Sequence, residues 1–375
     1  MINTLLFAMI DTVMANKTLH SAKTLKNDEF YTQIVDIENE LKHYKDKFRG
    51  KVIFCNCDDP FESNFFKFFA SNFNHLGLKK LIATSFTRSP IAGTQLPLLD
   101  MEGLKPDGGQ PFKIEINEVP DSNGDGAVNI SDVQYLLEHD KNTASALSGN
   151  GDFRSPECLE LLKEADIVCT NPPFSLFREY VALLVEHQKN FLVIGNTNAI
   201  TYEEIFPYLK DNVIWLGVNN GAKTYEVPSY YTQKNTFLGT DGKKYAKMGN
   251  TGWFTNLDFD KRHQELQLYK KYRPEEFQKY DNYDAIEIPK VQDIPVDYDG
   301  AMGVPITFLD KYNSSQFEIL GLTDRKNTSG LRTKTYTSKD TPNHNDMNRR
   351  GAIKMADGSL RSTYARILVK RKANT

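Results

Sequence analysis

Four consecutive residues, Asn171-Pro172-Pro173-Phe174, have the groups for one kind of chemistry. The side-chain carbonyl of Asn171 and the backbone carbonyl of Pro172, stiffened by two successive prolines of fixed φ, give two acceptors aimed at one point. Phe174 adds an aromatic face beside them. A planar base with an exocyclic amino group suits this arrangement. The acceptors hold both amino hydrogens, and the nitrogen lone pair turns out of the ring plane toward an electrophile. A glutamine amide can occupy the same acceptor pair.

Such residues must be positioned by the elements around them. The apolar run 165–170 reads as a buried strand that the prolines end, because neither can donate a ladder hydrogen bond. The segment 175–185 reads as a helix, so the tetrapeptide sits at the carboxyl end of a strand, where open α/β sheets bind ligands. Further strands are predicted over 51–56, 80–86, 190–195 and 212–217, with helices over 35–44, 62–73, 155–165 and 202–209. This repeating order predicts a doubly wound α/β sheet. A long insertion, 87–150, interrupts it and carries a strand over 112–116.

Around the tetrapeptide, the text GDFRSPECLELLKEADIVCTNPPFSLFREYV resembles the adenine-specific DNA methyltransferases of the EcoRI modification family. NDEFYTQIVDIENELKHY, FCNCDDPFESNFFKFFASNF and MGVPITFLDKYN resemble the same family, so the similarity spans about residues 26–372. It implies a mostly parallel, seven-stranded Rossmann-like methyltransferase sheet over 26–260, after an N-terminal extension 1–25. Residues 261–375 are then a target-recognition region. The implied reaction moves a methyl group from S-adenosylmethionine to the amino group of an adenine turned out of double-stranded DNA. Asn171, Pro172, Pro173 and Phe174 would act on the base, with Asn171 also beside the donor. A cognate restriction endonuclease is an implied partner. RNA or a protein glutamine as acceptor, or a noncatalytic calcium-dependent DNA-binding module, are the other readings the residues admit.

The same resemblance assigns cofactor roles. Phe30, Tyr31 and Thr32 match the aromatic-Thr element that closes over the methionine end of the donor. Asn56, Asp58 and Asp59 stand in the first strand's loop, where carboxylates take the ammonium and ribose groups, although the usual Gly-rich turn is missing. A plain N-capping turn at Asp58-Asp59-Pro60 is the alternative there. Asp152 would accept the donor's adenine amino group and Phe153 would pack on its ring; otherwise the two form a capping turn before Ser155-Pro156. The segment 250–256 offers Trp253 and amides either to a pocket for the extruded base or to a hairpin with a core Trp.

Residues 121–132 carry oxygen ligands at loop positions 1, 3, 5, 9 and 12, with Gly at 6, as an EF-hand-like calcium loop requires. Asp121, Asn123, Asp125, Ala127 (through its carbonyl), Asn129 and Asp132 are the predicted ligands of a structural Ca2+. Asp/Asn/Gly runs also make ordinary turns.

The bulk properties are permissive. With 39% hydrophobic and 25% charged residues in 375, the chain has the composition of a globular protein with a sizeable core. Its net charge of -3 hides an asymmetry: from Gly321 onward 13 Lys/Arg face 4 Asp/Glu, so a polyanion would be met there. Cys55, Cys57, Cys158 and Cys169 form neither a disulfide framework nor a zinc ribbon, and predict reduced thiols in a cytoplasmic protein; a bacterial or phage source is what the family resemblance implies. The run 5–10 is too short to span a bilayer, so no membrane partner is expected. Glu287-Ile288-Pro289-Lys290 ends like a nuclease motif but has no convincing upstream carboxylate, which argues for methylation without cleavage.

Overall fold

Where the sequence is apolar on every residue it forms the middle of a sheet, and where polarity alternates it forms a margin. In the computed structural model, the strands up to residue 255 are β1 (Tyr31–Thr32), β2 (Val52–Cys55), β3 (Lys80–Thr84), β4 (Phe112–Ile116), β5 (Ala144–Ala146), β6 (Ile167–Thr170), β7 (Asn190–Asn196), β8 (Trp215–Leu216), β9 (Lys223–Glu226), β10 (Thr236–Leu238), β11 (Lys244–Met248) and β12 (Thr251–Thr255). The structure describes residues 31–57, 60, 63–86, 111–122, 124, 130–139, 144–227, 231–232, 234–324, 326 and 330–372. Two units divide the chain, Met1–Thr197 with Asn219–Leu257, and Asn198–Val218 with Asp258–Thr375.

The main sheet has eight strands, and those of the first unit run in the order β5-β4-β3-β2-β6-β7-β12. Strands β3, β2, β6 and β7 are parallel neighbours, and β2 and β6 are buried along their whole length. The seven-stranded, mostly parallel sheet implied by the sequence is corrected here. β4 and β5, from the insertion, and β12 all pair antiparallel. For β4 the pattern shows why: it alternates buried and half-buried residues, as a strand toward the sheet margin does rather than one covered on both faces. Residues 212–217 reduce to the two residues of β8, and the helix predicted over 202–209 begins only at Phe206.

Among the described residues, the helices of the first unit with eight residues or more are α1 (Ile34–Leu41), α2 (Asn64–Ser71), α3 (Ile130–His139), α4 (Pro156–Glu164) and α5 (Phe177–Glu186). Ser63 caps α2 by accepting from the amides of Phe65 and Phe66, and Ser155 caps α4 with Pro156 in its first turn. A second sheet in this unit, order β1-β9-β11-β10, is antiparallel throughout. Glu40 of α1, fully buried, helps fix it by accepting from the backbone N–H of Asn219 at 2.7 Å.

The second unit adds β13 (Ile286–Glu287), β14 (Met302–Pro305), β15 (Phe317–Leu322), β16 (Ala352–Lys354), β17 (Leu360–Ser362) and β18 (Arg366–Arg371), with a sheet ordered β13-β14-β18-β15 and a β16–β17 hairpin. A small core of Tyr336, Met347 and Ala352 with Leu360 supports that hairpin. Buried Asn282 ties it down, donating to the carbonyls of Met347 and Arg350 and accepting from the Ala352 amide at 2.8 Å. Among the described residues no helix is long and apolar enough to cross a membrane.

Candidate active site

The crossover from β2 to β3 goes one way along the sheet and that from β6 to β7 goes the other, so the strand order reverses between β2 and β6. That crevice, beyond the carboxyl ends of the two strands, is where open α/β sheets take ligands. Asn56 follows β2 and Asn171 follows β6, with 3% and 6% of their surface exposed. The Tyr180 hydroxyl, from α5, donates to Asn56 Oδ1 and ties the two sides of the crevice together. Burial pushes the Tyr180 hydroxyl well above its ordinary pKa, so it stays a neutral donor. The ring of Phe153 meets Tyr180 edge-on, with centroids 5.0 Å apart. Asn56 Nδ2 is buried and finds no acceptor among the described residues.

Gly151 explains how residues 151–153 reach this edge. Its φ is +74°, and a Cβ there would lie 2.0 Å from the Ser85 carbonyl beyond the end of β3, so only glycine fits. Asp152 follows with both carboxylate oxygens on the Arg154 guanidinium, at 2.9 and 2.8 Å, and Arg154 also reaches Glu179 at 2.8 Å. Phe153 is buried, with the Arg154 guanidinium 5.0 Å from its ring centroid. Through Tyr180, the Phe153 ring and the buried Asn56 amide N–H come together at the end of β2, an aromatic face and a donor that suit a purine ring. Thr32 is buried in β1, and its carbonyl accepts from Asn64 Nδ2 at 2.7 Å. The Tyr31 backbone pairs with Glu226; Phe30, Asp58 and Asp59 lie outside the described residues.

Within the tetrapeptide the Pro173 carbonyl is taken by the Leu176 amide at 2.9 Å, which closes the turn Phe174–Leu176. The helix behind it seats deeply: a Cβ on Gly195 of β7 would fall 2.4 Å from the Phe177 ring. Phe174 opens onto a cavity of about 350 Å³ that Asn196, Tyr231, Lys247, Asn250 and Thr251 also line. The sequence reading of 250–256 divides at this point. Asn250 and Thr251 line the cavity, whereas Trp253 is buried in β12 against Phe65 and Asn256 bonds the Phe191 amide and the Lys189 carbonyl. Sequence reasoning missed Tyr180, Asn196 and Tyr231. Only Tyr180 left a trace, a hydroxyl on the apolar face of a predicted helix.

Glu287 proves to be structural. Its carboxylate accepts from Arg366 Nη2 at 2.6 Å and Nε at 3.0 Å, and from the Tyr280 hydroxyl, all buried. In the calcium-loop segment, Asp121 Oδ1 accepts from the Gly124 amide at 2.7 Å and Asp132 Oδ1 from the Ser122 amide at 2.8 Å. Asn123, Asp125, Ala127 and Asn129 lie outside the described residues. Among the described residues no three His, Cys, Asp or Glu side chains converge as a metal site.

A family model described as adenine-specific methyltransferase EcoRI matches residues 18–372. The chain is 46% identical to the Type II methyltransferase M.EcoRI of Escherichia coli over 317 residues, covering 81% of this chain and 89% of the relative. It is 37% identical to the Type II methyltransferase M.MpnI of Mycoplasma pneumoniae, over 94% of this chain and 98% of the relative. A third Type II methyltransferase, M.MgeORF184P of Mycoplasma genitalium, is 36% identical over the same shares. No solved structure matches the chain.

Proposed function

Because the chain belongs to the family of EcoRI-type adenine-specific methyltransferases, we propose that Asn171 and the Pro172 carbonyl grip the target amino group while Phe174 stacks on its ring. The protein is a site-specific DNA adenine methyltransferase that uses S-adenosylmethionine. Bound, that donor supplies a methyl group on a cationic sulfur. Phe153, Asp152 and Asn56 are the residues we assign to its adenosine. Phe30, Tyr31, Thr32, Asp58 and Asp59 are assigned to its methionine and ribose parts, and Asn171 faces both molecules.

The observation that carries this reading is that Asn56 and Asn171 directly follow the paired parallel strands β2 and β6 at the point where strand order reverses, with Phe174 opening onto the 350 Å³ cavity. An adenine inside a duplex cannot reach such a site, so it must be rotated out at a cost of about a few kcal/mol. The two carbonyls accept the amino hydrogens and favour the positive charge that develops on nitrogen. Neither a protein nucleophile nor a strong base is required. Orientation of the acceptor and exclusion of water are the chain's contribution.

Residues 261–375 fit a target-recognition role, with exposed Arg349, Lys354 and Arg361 available to phosphates. Residues 1–25 are an extension to the methyltransferase domain. A DNA substrate implies the cytoplasm of a bacterial or phage-infected cell, and a restriction endonuclease reading the same site is the natural partner. The spacing within 121–132 supports a structural Ca2+ that pins the insertion.

The deciding experiment is Asn171→Ala, assayed with tritiated donor on duplex DNA. Methyl transfer is lost while DNA affinity stays within about threefold of the parent. Retained turnover overturns the assignment.

A further inference from the structure

The antiparallel sheet of the first unit ends in a ribbon, β10 and β11, whose root walls the cavity. There the Lys247 amide donates to the Asn235 carbonyl at 3.0 Å and Asn235 Nδ2 to the Lys247 carbonyl at 2.8 Å, and both residues line the cavity. Further out on the same strand, Phe237 is 48% and Leu238 74% exposed. Leu238 pairs with Lys244 and so shares the side of the ribbon that, at Ala246 and Tyr225, is fully buried. It lies on the edge strand, outside the cluster those residues form with Val227.

This end of the ribbon is braced. Phe237 stacks on Tyr245, with centroids 5.8 Å apart and planes at 27°. The Tyr245 hydroxyl donates to Asp241 at 2.6 Å, and the same carboxylate accepts from the Lys243 amide at 3.1 Å, across a turn in which Gly242 takes φ +77°. An exposed apolar edge is a liability that folds usually blunt, so one held out by a stiffened turn signals a partner. The charge identifies the partner's chemistry. Residues 231–250 contain four lysines and one aspartate, the complement of a polyanion.

We propose that this ribbon enters the DNA duplex at the target site, with Leu238 filling the gap in the base stack left by the adenine that turns into the cavity, while Phe237 and Tyr245 brace the ribbon's other face. The inference rests on the cavity being the base site. Three residues of strand carry the tip about 10 Å from the cavity wall, a few base-pair rises of about 3.4 Å along a strand. Rotating a base out exposes the faces of its two neighbours, and an apolar wedge that covers them offsets the cost of unstacking. The lysines at the ribbon's root and turn then lie along phosphates on either side.

The test uses the full chain on duplexes with its own methylation site, first established by methylation-sensitive sequencing. A matched duplex with adenine at the target reports methylation, a second with 2-aminopurine there reports extrusion, and a third carries a mismatch opposite the target adenine, so that the base is already loosened. Leu238→Ala should lower the fluorescence rise and the single-turnover methylation rate by about tenfold on matched DNA. On mismatched DNA the rate should return to within about twofold of the parent. Leu238→Phe, which keeps a wedge, should retain both signals, and donor affinity should be unchanged in either variant. Parental extrusion and rate in Leu238→Ala, or an equal loss of rate on matched and mismatched DNA, overturns the wedge and leaves the base-site reading standing. No fluorescence rise with the unsubstituted chain overturns that reading, and the wedge with it.

Discussion

Replacing Tyr180 by Phe isolates one bond between the two sides of the crevice. Tyr180 is fully buried and Asn56 nearly so, and the hydroxyl is the donor to Asn56 Oδ1. The Cys57 thiol, 3.6 Å away, is too weak a donor to replace it. Leaving a buried acceptor unsatisfied costs roughly 1–3 kcal/mol. For a unit of this size that lowers the melting temperature by roughly 2–4 °C per kcal/mol. The ring remains, so the contact with Phe153 survives and the loss belongs to the hydroxyl. Once released, the Asn56 amide can rotate, and its Nδ2 no longer points in a fixed direction. S-adenosylmethionine affinity, by calorimetry, should fall by roughly 5–30-fold, the equivalent of 1–2 kcal/mol. At saturating donor kcat should hold within about twofold, because the groups that grip the acceptor are untouched. Loss of stability with unchanged donor affinity would refute the cofactor role of Asn56. Unchanged stability would show that the bond contributes nothing.

In the second unit, Arg366→Ala strands the Glu287 carboxylate in a buried site where the two side chains are only 10% and 7% exposed, and should cost about 3–5 kcal/mol in urea unfolding. Replacing both residues by Met should recover most of that, since a buried pair is worth little more than the apolar groups that could replace it. If the insertion binds Ca2+, adding EGTA should lower its melting transition while Asp132→Ala removes the difference; melting curves identical with Ca2+ and with EGTA dismiss the metal.

Much of the centre of this fold can be read in the sequence, for a physical reason. Runs such as Ile167–Thr170 are buried on every residue, and a strand ended by two prolines has few other places to go. The caps at Ser63 and Ser155 are equally local signals. The margins are not legible in this way. β5 and β10 have only three residues each, and nothing in their composition says which neighbour they will choose. The ribbon of β10 and β11 owes its importance to standing beside Phe174, a proximity that folding creates. Tyr180 and Asn56 are 124 residues apart, and their partnership exists only once β2 and β6 are neighbours. Trp253 shows the converse: its sequence admits a pocket and a core hairpin alike, and only its strand inside the sheet decides for the core.

The smaller sheet of the first unit has a mechanical corollary. β1, whose Tyr31 and Thr32 are among the residues proposed for the donor, and β11, which walls the cavity proposed for the base, both pair with β9 and so belong to one hydrogen-bonded plate. A plate of that kind cannot tilt for one guest without the other registering it. Thermodynamic reciprocity then requires that whatever factor DNA imposes on the affinity for the donor, the donor imposes on the affinity for DNA. The order in which the two arrive would thus be a matter of kinetics, written over a symmetric linkage.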